Sequence, residues 1–598
     1  MTQTKLNHTF HVPVMGVAFT IDSPIKLAPL GISSVISMVD DTLLEQMRAY
    51  YANQFNLAYE EISNKVADFR AKRITSYLNL VQDIVQIKFN QVKNAAWEKG
   101  SELEKYFRLL PDTAPLKKEF MSRLTLSGFD AHLREWVQTH LLAGDIDINI
   151  MTKLDRENEM NGEKLPSEFN DAHAALRGFA QSNLSSSVVL SAGLNPRLYS
   201  YFEQFPDFYP DAQGALKKRI ILKISDYRSA LIQGKFLAKK GLWVSEFRME
   251  SGLNCGGHAF ATDGLLMGPI LEEFKQNRDT LKATLFELYS AALKEKNIAV
   301  PAEPCEQKFT AQGGVGTAQE HALLLEQYQL DAVGWGSTFL LVPEATTVDD
   351  ATLEQLCRAR EEDFYLSENS PLGVRFNNIR NNSMALVKEH LIQKDRPGSS
   401  CPKKYSVLNK EYTVDPICTA SRQYQHLRLQ DLQSQGLSPE VYQKEFELTT
   451  TRECLCVGLT NSALLRYQIP TKYYEGAVSI CPGPNLAYFN NLVSLQEMVD
   501  HIYGRQDILT RKDRPNLFVK ELQLYIAFFK EAVSNSDQPI NKQRANYLAT
   551  FEKNLQAGIN YYKQFFNENQ LPNAIEGLAA CEQELQSFSL QIPPVVSA

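Results

Sequence analysis

The residues best suited to chemistry lie in Gly252-Leu-Asn-Cys-Gly-Gly-His258. Two adjacent glycines let a backbone come close to a ligand. A histidine beside them titrates near neutrality and can move a proton. The run before, residues 241–247, is short, apolar and β-prone; the run after, residues 265–296, has helical spacing. Gly256, Gly257 and His258 are therefore expected on a loop past the C-terminal end of a strand, with His258 the proton-transfer candidate. An ordinary glycine turn with a surface histidine is spelled the same way, so the surroundings have to decide. Two further stretches, Ala311-Gln-Gly-Gly-Val-Gly-Thr317 and Asp331-Ala-Val-Gly-Trp-Gly-Ser-Thr338, also end strand-like runs. Backbone amides at such turns, with a helix N-terminus behind them, make a phosphate seat; either alone also reads as plain turn chemistry. Gly313, Gly314, Gly334, Gly336 and Ser337 are the candidate contacts.

The elements that must position these loops alternate. Strand patterns occur at residues 23–31, 33–38, 145–151, 187–191, 219–224, 242–247, 308–311 and 331–335, with helical spacing over 226–240, 265–296 and 317–328. Strand, helix, strand in succession predicts parallel pairing with right-handed crossovers. About eight such strands fit an α/β fold of (β/α)8 (TIM) barrel type, whose chemistry sits on the loops at the C-terminal strand ends. The absence of a Gly-x-Gly-x-x-Gly opening the first unit counts against a dinucleotide-binding sheet. Residues 41–140 read as a large helical insertion in a barrel spanning 1–370; 371–500 read as irregular and cysteine-containing; 501–598 read as a C-terminal helical region.

Composition bounds the function. In 598 residues, 44% hydrophobic and 22% charged content allow a large core. A net charge of −8 without a basic block argues against nucleic acid as a partner. No apolar run reaches membrane-span length and the first ten residues do not spell a signal peptide, so a cytoplasmic protein acting on a small molecule is expected.

The order of the pieces resembles the nitronate monooxygenase (2-nitropropane dioxygenase-like) family of FMN-dependent barrels, over roughly residues 20–40 and 145–345. Ala28-Pro-Leu-Gly31, Asp147-Ile-Asn149, Gly252 to His258, Gln312-Gly-Gly-Val315 and Gly334-Trp-Gly-Ser337 carry it. The resemblance implies FMN, with Pro29, Gly31, Asn149, Lys223, Gly256, Gly257 and the two late glycine turns as its contacts and His258 as acid/base. Leu30 stands where that family has Met, and Asn254-Cys255 where it has Glu-Ala. Those departures favour the cofactor over a nitronate substrate. An FMN-dependent enoyl reductase or dehydrogenase with an Fe–S centre, and a non-redox barrel enzyme for a phosphorylated substrate, remain as alternatives.

Cys401, Cys418, Cys454, Cys456 and Cys481, five of nine cysteines, fall in one region. Loop thiolates of this number could hold an iron–sulfur cluster or zinc, which would suit an electron-transfer partner, but the spacings match no standard pattern. Buried, reduced thiols are the plainer reading. Cys255 reads as a small apolar filler rather than a nucleophile. The helical additions leave room for self-association.

Overall fold

Eight parallel strands alternate their side chains between two environments. They are β1 (Phe10–His11), β2 (Ser34–Ser37), β3 (Ile146–Ile150), β4 (Ser186–Leu190), β5 (Lys218–Ile224), β6 (Val244–Glu250), β7 (Lys308–Gln312) and β8 (Ala332–Gly334). Their hydrogen-bonded order in the computed structural model is β1-β8-β7-β6-β5-β4-β3-β2. A parallel bridge between Val12 and Ser34 joins the ends. The sheet closes on itself as a (β/α)8 barrel, as its alternating pattern predicts. The structure describes residues 8–160, 162–191, 193–255, 263–534 and 542–589.

One set of strand residues, such as Ile148, Val188, Ile220 and Phe247, packs outward against the helices in the main core. The other set fills the interior in layers. Val35, Val189 and Ile221 meet in the middle. On the N-terminal side, Arg219 donates to Asp145 at 3.0 Å, and Glu246 accepts from Arg248 at 2.8 Å and Thr310 at 2.6 Å. On the C-terminal side stand Ser37, Asn149, Lys223, Glu250 and Gln312. Ion pairs buried this way regain little more than their desolvation cost, so the apolar outer face holds the barrel together.

Between β2 and β3 lie helices Asp41–Gln54, Phe69–Asn94, Glu102–Leu109, Pro115–Ser127 and Ala131–His140. Asp40, Ser101 and Asp130 cap three of them, each accepting the third residue's N–H. Phe107, Phe120 and Trp136 give the distal part a small core of its own. Helices Leu517–Ser534, Lys542–Glu568 and Pro572–Ser589 close the chain and share the main core with the barrel.

Two expectations are corrected. Residues 23–31 are not a strand: Pro24 opens helix Ser23–Leu27, and a 3-10 turn Ala28–Leu30 follows. Proline's fixed φ suits a first helical turn. The first barrel strand is the two-residue β1, too short to show a period. Nor is 371–500 irregular. After a hairpin (Phe364–Ser367 with Phe376–Ile379) it holds helices Ser383–Gln393, Arg422–Ser434, Pro439–Thr450, Leu455–Arg466 and Leu495–Ile502. The polar residues that read as loop signals are their N-caps: Asn382, Ser421, Ser438 and Ser494 each accept a helix N–H.

Candidate active site

The C-terminal ends of β1 to β6 surround a cavity that is partly open to solvent. Its floor is polar: Ser37, Asn149, Ser191, Lys223 and Glu250. Lys223 Nζ lies 3.2 Å from Glu250 Oε1, with Glu250 3% and Lys223 11% exposed. Glu250 also accepts from Asn254 at 2.8 Å and from Gln312 at 2.5 Å. Three donors on one buried carboxylate fix its position and that of the Lys223 amine beside it. Asn149 Oδ1 is buried at the cavity edge without a hydrogen-bond partner among the described residues. An orphaned amide oxygen costs free energy unless a ligand or water satisfies it.

The walls and roof are apolar. Val14 and Val17 follow β1, and Met151 and Leu154 follow β3. Pro371, Leu372, Phe376, Leu455 and Leu459 come from the chain beyond the barrel. A polar floor under an apolar roof receives a flat ligand with hydrogen-bonding edges, and the roof keeps water out.

The mouth over β7 and β8 is built differently: the chain fills it. Gly483 N–H donates to Ser337 Oγ at 2.8 Å. A Cβ at Gly483 would lie 2.5 Å from the Leu253 carbonyl oxygen. Asn485 Nδ2 donates to the Val315 carbonyl at 2.8 Å. A Cβ at Gly314, whose φ is +85°, would lie 2.6 Å from Leu253 Cδ1. Arg514 donates to the Gly314 carbonyl at 2.6 Å and forms a two-point pair with Glu320 at 2.8 and 2.9 Å. Both side chains of that pair are 5% exposed. Glu320 in turn accepts the Gly316 N–H at 2.9 Å. Its carboxylate therefore occupies the start of helix Ala318–Gln327, where the dipole favours an anion.

Two histidines near the mouth, His11 and His321, lose basicity on burial. Burial first, then the Arg248 charge, holds His11 well below the usual imidazole range. Burial alone lowers His321 to about 4.

Asn149 and Lys223 thus meet in one cavity. Gly313, Gly314, Gly334, Gly336 and Ser337 gather at the adjoining mouth, under protein. Gly256, Gly257 and His258 lie outside the described residues. Pro29 and Gly31 do not join the site, and this corrects their expected role. They precede β2, so they stand at the N-terminal end of the barrel, where Gly31 packs on Tyr106. The missed counterpart is Pro13-Val14-Met15-Gly16, directly after β1, with Val14 and Gly16 lining the cavity. Its Pro, Met and Gly, ahead of the mistaken strand, were the available signal. Glu250 was missed as the partner of Lys223, although an acidic residue two beyond Arg248 continues the inward face of β6.

The five cysteines do not form one ligand set, which corrects the metal expectation. The Cys418 thiol is hydrogen-bonded to Cys401, which this contact, ahead of other causes, brings down to about 7. Cys454 stands just ahead of helix Leu455–Arg466 and Cys456 lines the cavity. Cys481 is remote from these, beside Cys255, whose Sγ lies 3.3 Å from the Cys481 carbonyl. The hydrogen bond with Cys481, then burial, pushes the Cys255 thiol well above its usual range, so it is protonated filler. Among the described residues no group of three or more His, Cys, Asp or Glu side chains could hold a metal ion. Among them, too, no helix is long and apolar enough to cross a membrane.

No family model matches the chain, and no curated protein matches it. Among solved structures it is similar to the enoyl reductase domain of MlnA from the macrolactin biosynthesis cluster of Bacillus amyloliquefaciens, at 14% identity and a TM-score of 0.34, covering 66% of this chain and 86% of that one. It is also similar to a mutant of FabK from Thermotoga maritima, at 10% identity and a TM-score of 0.28, covering 63% of this chain and 82% of that one. At these values the likeness carries no argument, and the barrel is read from its own strand order.

Proposed function

We propose that the chain is a flavin-dependent oxidoreductase whose flavin ring lies in the cavity over β2 to β6. The observation that carries this reading is the floor itself: a fixed Lys223 ammonium and an unpartnered Asn149 amide at two positions that the sequence resemblance selects. The residues present fit such a ring. Asn149 would hydrogen-bond its polar edge, and Lys223 would face its electron-rich portion. The apolar roof would cover its face. A bound flavin supplies two-electron transfer.

The chain's own contribution is positioning and proton handling. Glu250 fixes the Lys223 ammonium, so the floor cation is preorganised rather than recruited. Leu372, Phe376, Leu455 and Leu459 exclude water from whatever lies against them. His258, three residues beyond Cys255 in the sequence, is the proposed acid/base for the substrate proton.

Purified protein should be yellow, or become so with added flavin. A colourless protein that leaves flavin fluorescence unchanged would sink the reading. His258→Ala should keep the flavin and lose turnover by about 100-fold or more, and an unchanged rate would remove the acid/base assignment alone. Oxygen uptake on substrate addition, against consumption of a nicotinamide donor, separates an oxidase from a reductase.

A further inference from the structure

Barrels that bind a phosphorylated ligand usually seat the phosphate on the turns after the last two strands, against a helix N-terminus. Here several groups of that seat already have a partner in the chain. The Gly316 N–H goes to Glu320, and the carbonyls of Gly314 and Val315 go to Arg514 and Asn485. The Gly316 carbonyl meets His501 Nε2 at 2.9 Å, and Ser337 Oγ accepts from Gly483. The space is taken as well. Leu253 and Ser251 crowd Gly313 and Gly314, the Arg514 guanidinium lies 2.6 Å from a Cβ position at Gly316, and Cys255 lies 3.4 Å from one at Gly336.

The filling belongs to the fold rather than to its surface. Arg514 and Glu320 are buried, and Glu320 also accepts the Leu517 N–H at 2.7 Å where helix Leu517–Ser534 begins. The neighbouring Cys481, Leu486 and Ala487 are fully buried in the main core. To vacate the seat, the chain would have to unpair a buried Arg–Glu couple and pull a helix start out of the core. A dianion would also meet the Glu320 carboxylate at the helix N-terminus.

We propose that the late-strand seat is permanently occupied in cis. The mouth cavity therefore selects its ligand by ring and edge contacts alone, with no contribution from a phosphate on the turns at 313–317 and 334–337. This inference rests on the flavin reading for the identity of the ring. Its consequence is loss of discrimination: FMN and riboflavin should bind alike.

The test has two arms on the unaltered full-length protein. In the first, FMN and riboflavin are titrated separately by fluorescence quenching; their Kd values should agree within about threefold, whereas a phosphate held by several amides would separate them by about 30-fold or more. In the second, hydrogen exchange of peptides covering 313–317 and 334–337 is followed with and without inorganic phosphate at tens of millimolar, and no protection is expected. FMN binding about 30-fold more tightly, or phosphate protecting either turn, would overturn the proposal and leave the flavin reading standing. If neither flavin binds, the flavin reading falls, and the phosphate arm alone decides whether the seat is filled.

Discussion

The two halves of the barrel mouth share one architecture and differ in what covers them. Over β2 to β6 the chain leaves a cavity with an unsatisfied amide oxygen and a cation on its floor. Over β7 and β8 the chain's own segments pack onto the glycine turns and meet several of their groups, down to a carboxylate on the helix start, while Gln312 Oε1 and Thr338 Oγ1 stay without a partner among the described residues. A fold satisfies its own polar groups where nothing else has to bind. Where it leaves one unpaired at a cavity, a ligand is the natural partner. The contrast locates the site more sharply than the glycine motifs do, because glycine permits close approach to a protein segment as readily as to a phosphate.

The strongest way to break this comparison is to remove Arg514. Arg514→Ala leaves Glu320 buried without its cation, and urea denaturation should show a loss of about 3–5 kcal/mol. Flavin affinity should move less than about threefold, because the closed half makes no ligand contact. Loss of binding at unchanged stability would reverse the roles of the halves.

Glu521 gives a pH version of the same test. It is buried behind the closed half, where it accepts the Met267 N–H at 2.8 Å. Burial raises its carboxyl from 4.5 to about 7. The folded protein therefore binds a proton that the unfolded chain has lost, and stability should fall as pH rises from about 4.5 to about 7, by about 3 kcal/mol. Glu521→Gln should flatten that slope. An unchanged slope would assign it to other groups.

The smallest expected effect is the most local. Asn149→Ala should weaken flavin binding by about fivefold, roughly 1 kcal/mol, and leave the urea midpoint within scatter, since its Oδ1 has no partner among the described residues. Equal losses of binding and stability would make Asn149 a structural residue.

The barrel was legible in the sequence because β3 to β7 alternate or run apolar between long helices, and that period survives without tertiary knowledge. Asn149 and Lys223 were legible as polar residues at strand ends. Two residues of β1 carry no period, so the first strand slid to residues 23–31 and took Pro29 and Gly31 with it. The helices past 371 hid behind their own caps, since Ser and Asn mark loops and helix starts alike. The closed half was not legible at all. Gly483 against Ser337 and Arg514 against Gly314 join positions 146 and 200 residues apart, and no local signal announces such a contact.

The seam of the barrel has a kinetic meaning. β1 is short, and the segment before it is fastened by Tyr503, whose hydroxyl bonds His8 at 2.9 Å and the Thr9 N–H at 3.4 Å. Those partners are 495 and 494 residues apart. A ribosome must pass residue 334 before β1 can pair with β8, and residue 503 before Tyr503 can fasten the segment ahead of it, so the seam closes late relative to the strands that flank it. Closure is then a high-contact-order event, slow and exposed to mispairing. Folding of this protein should end where its sequence begins.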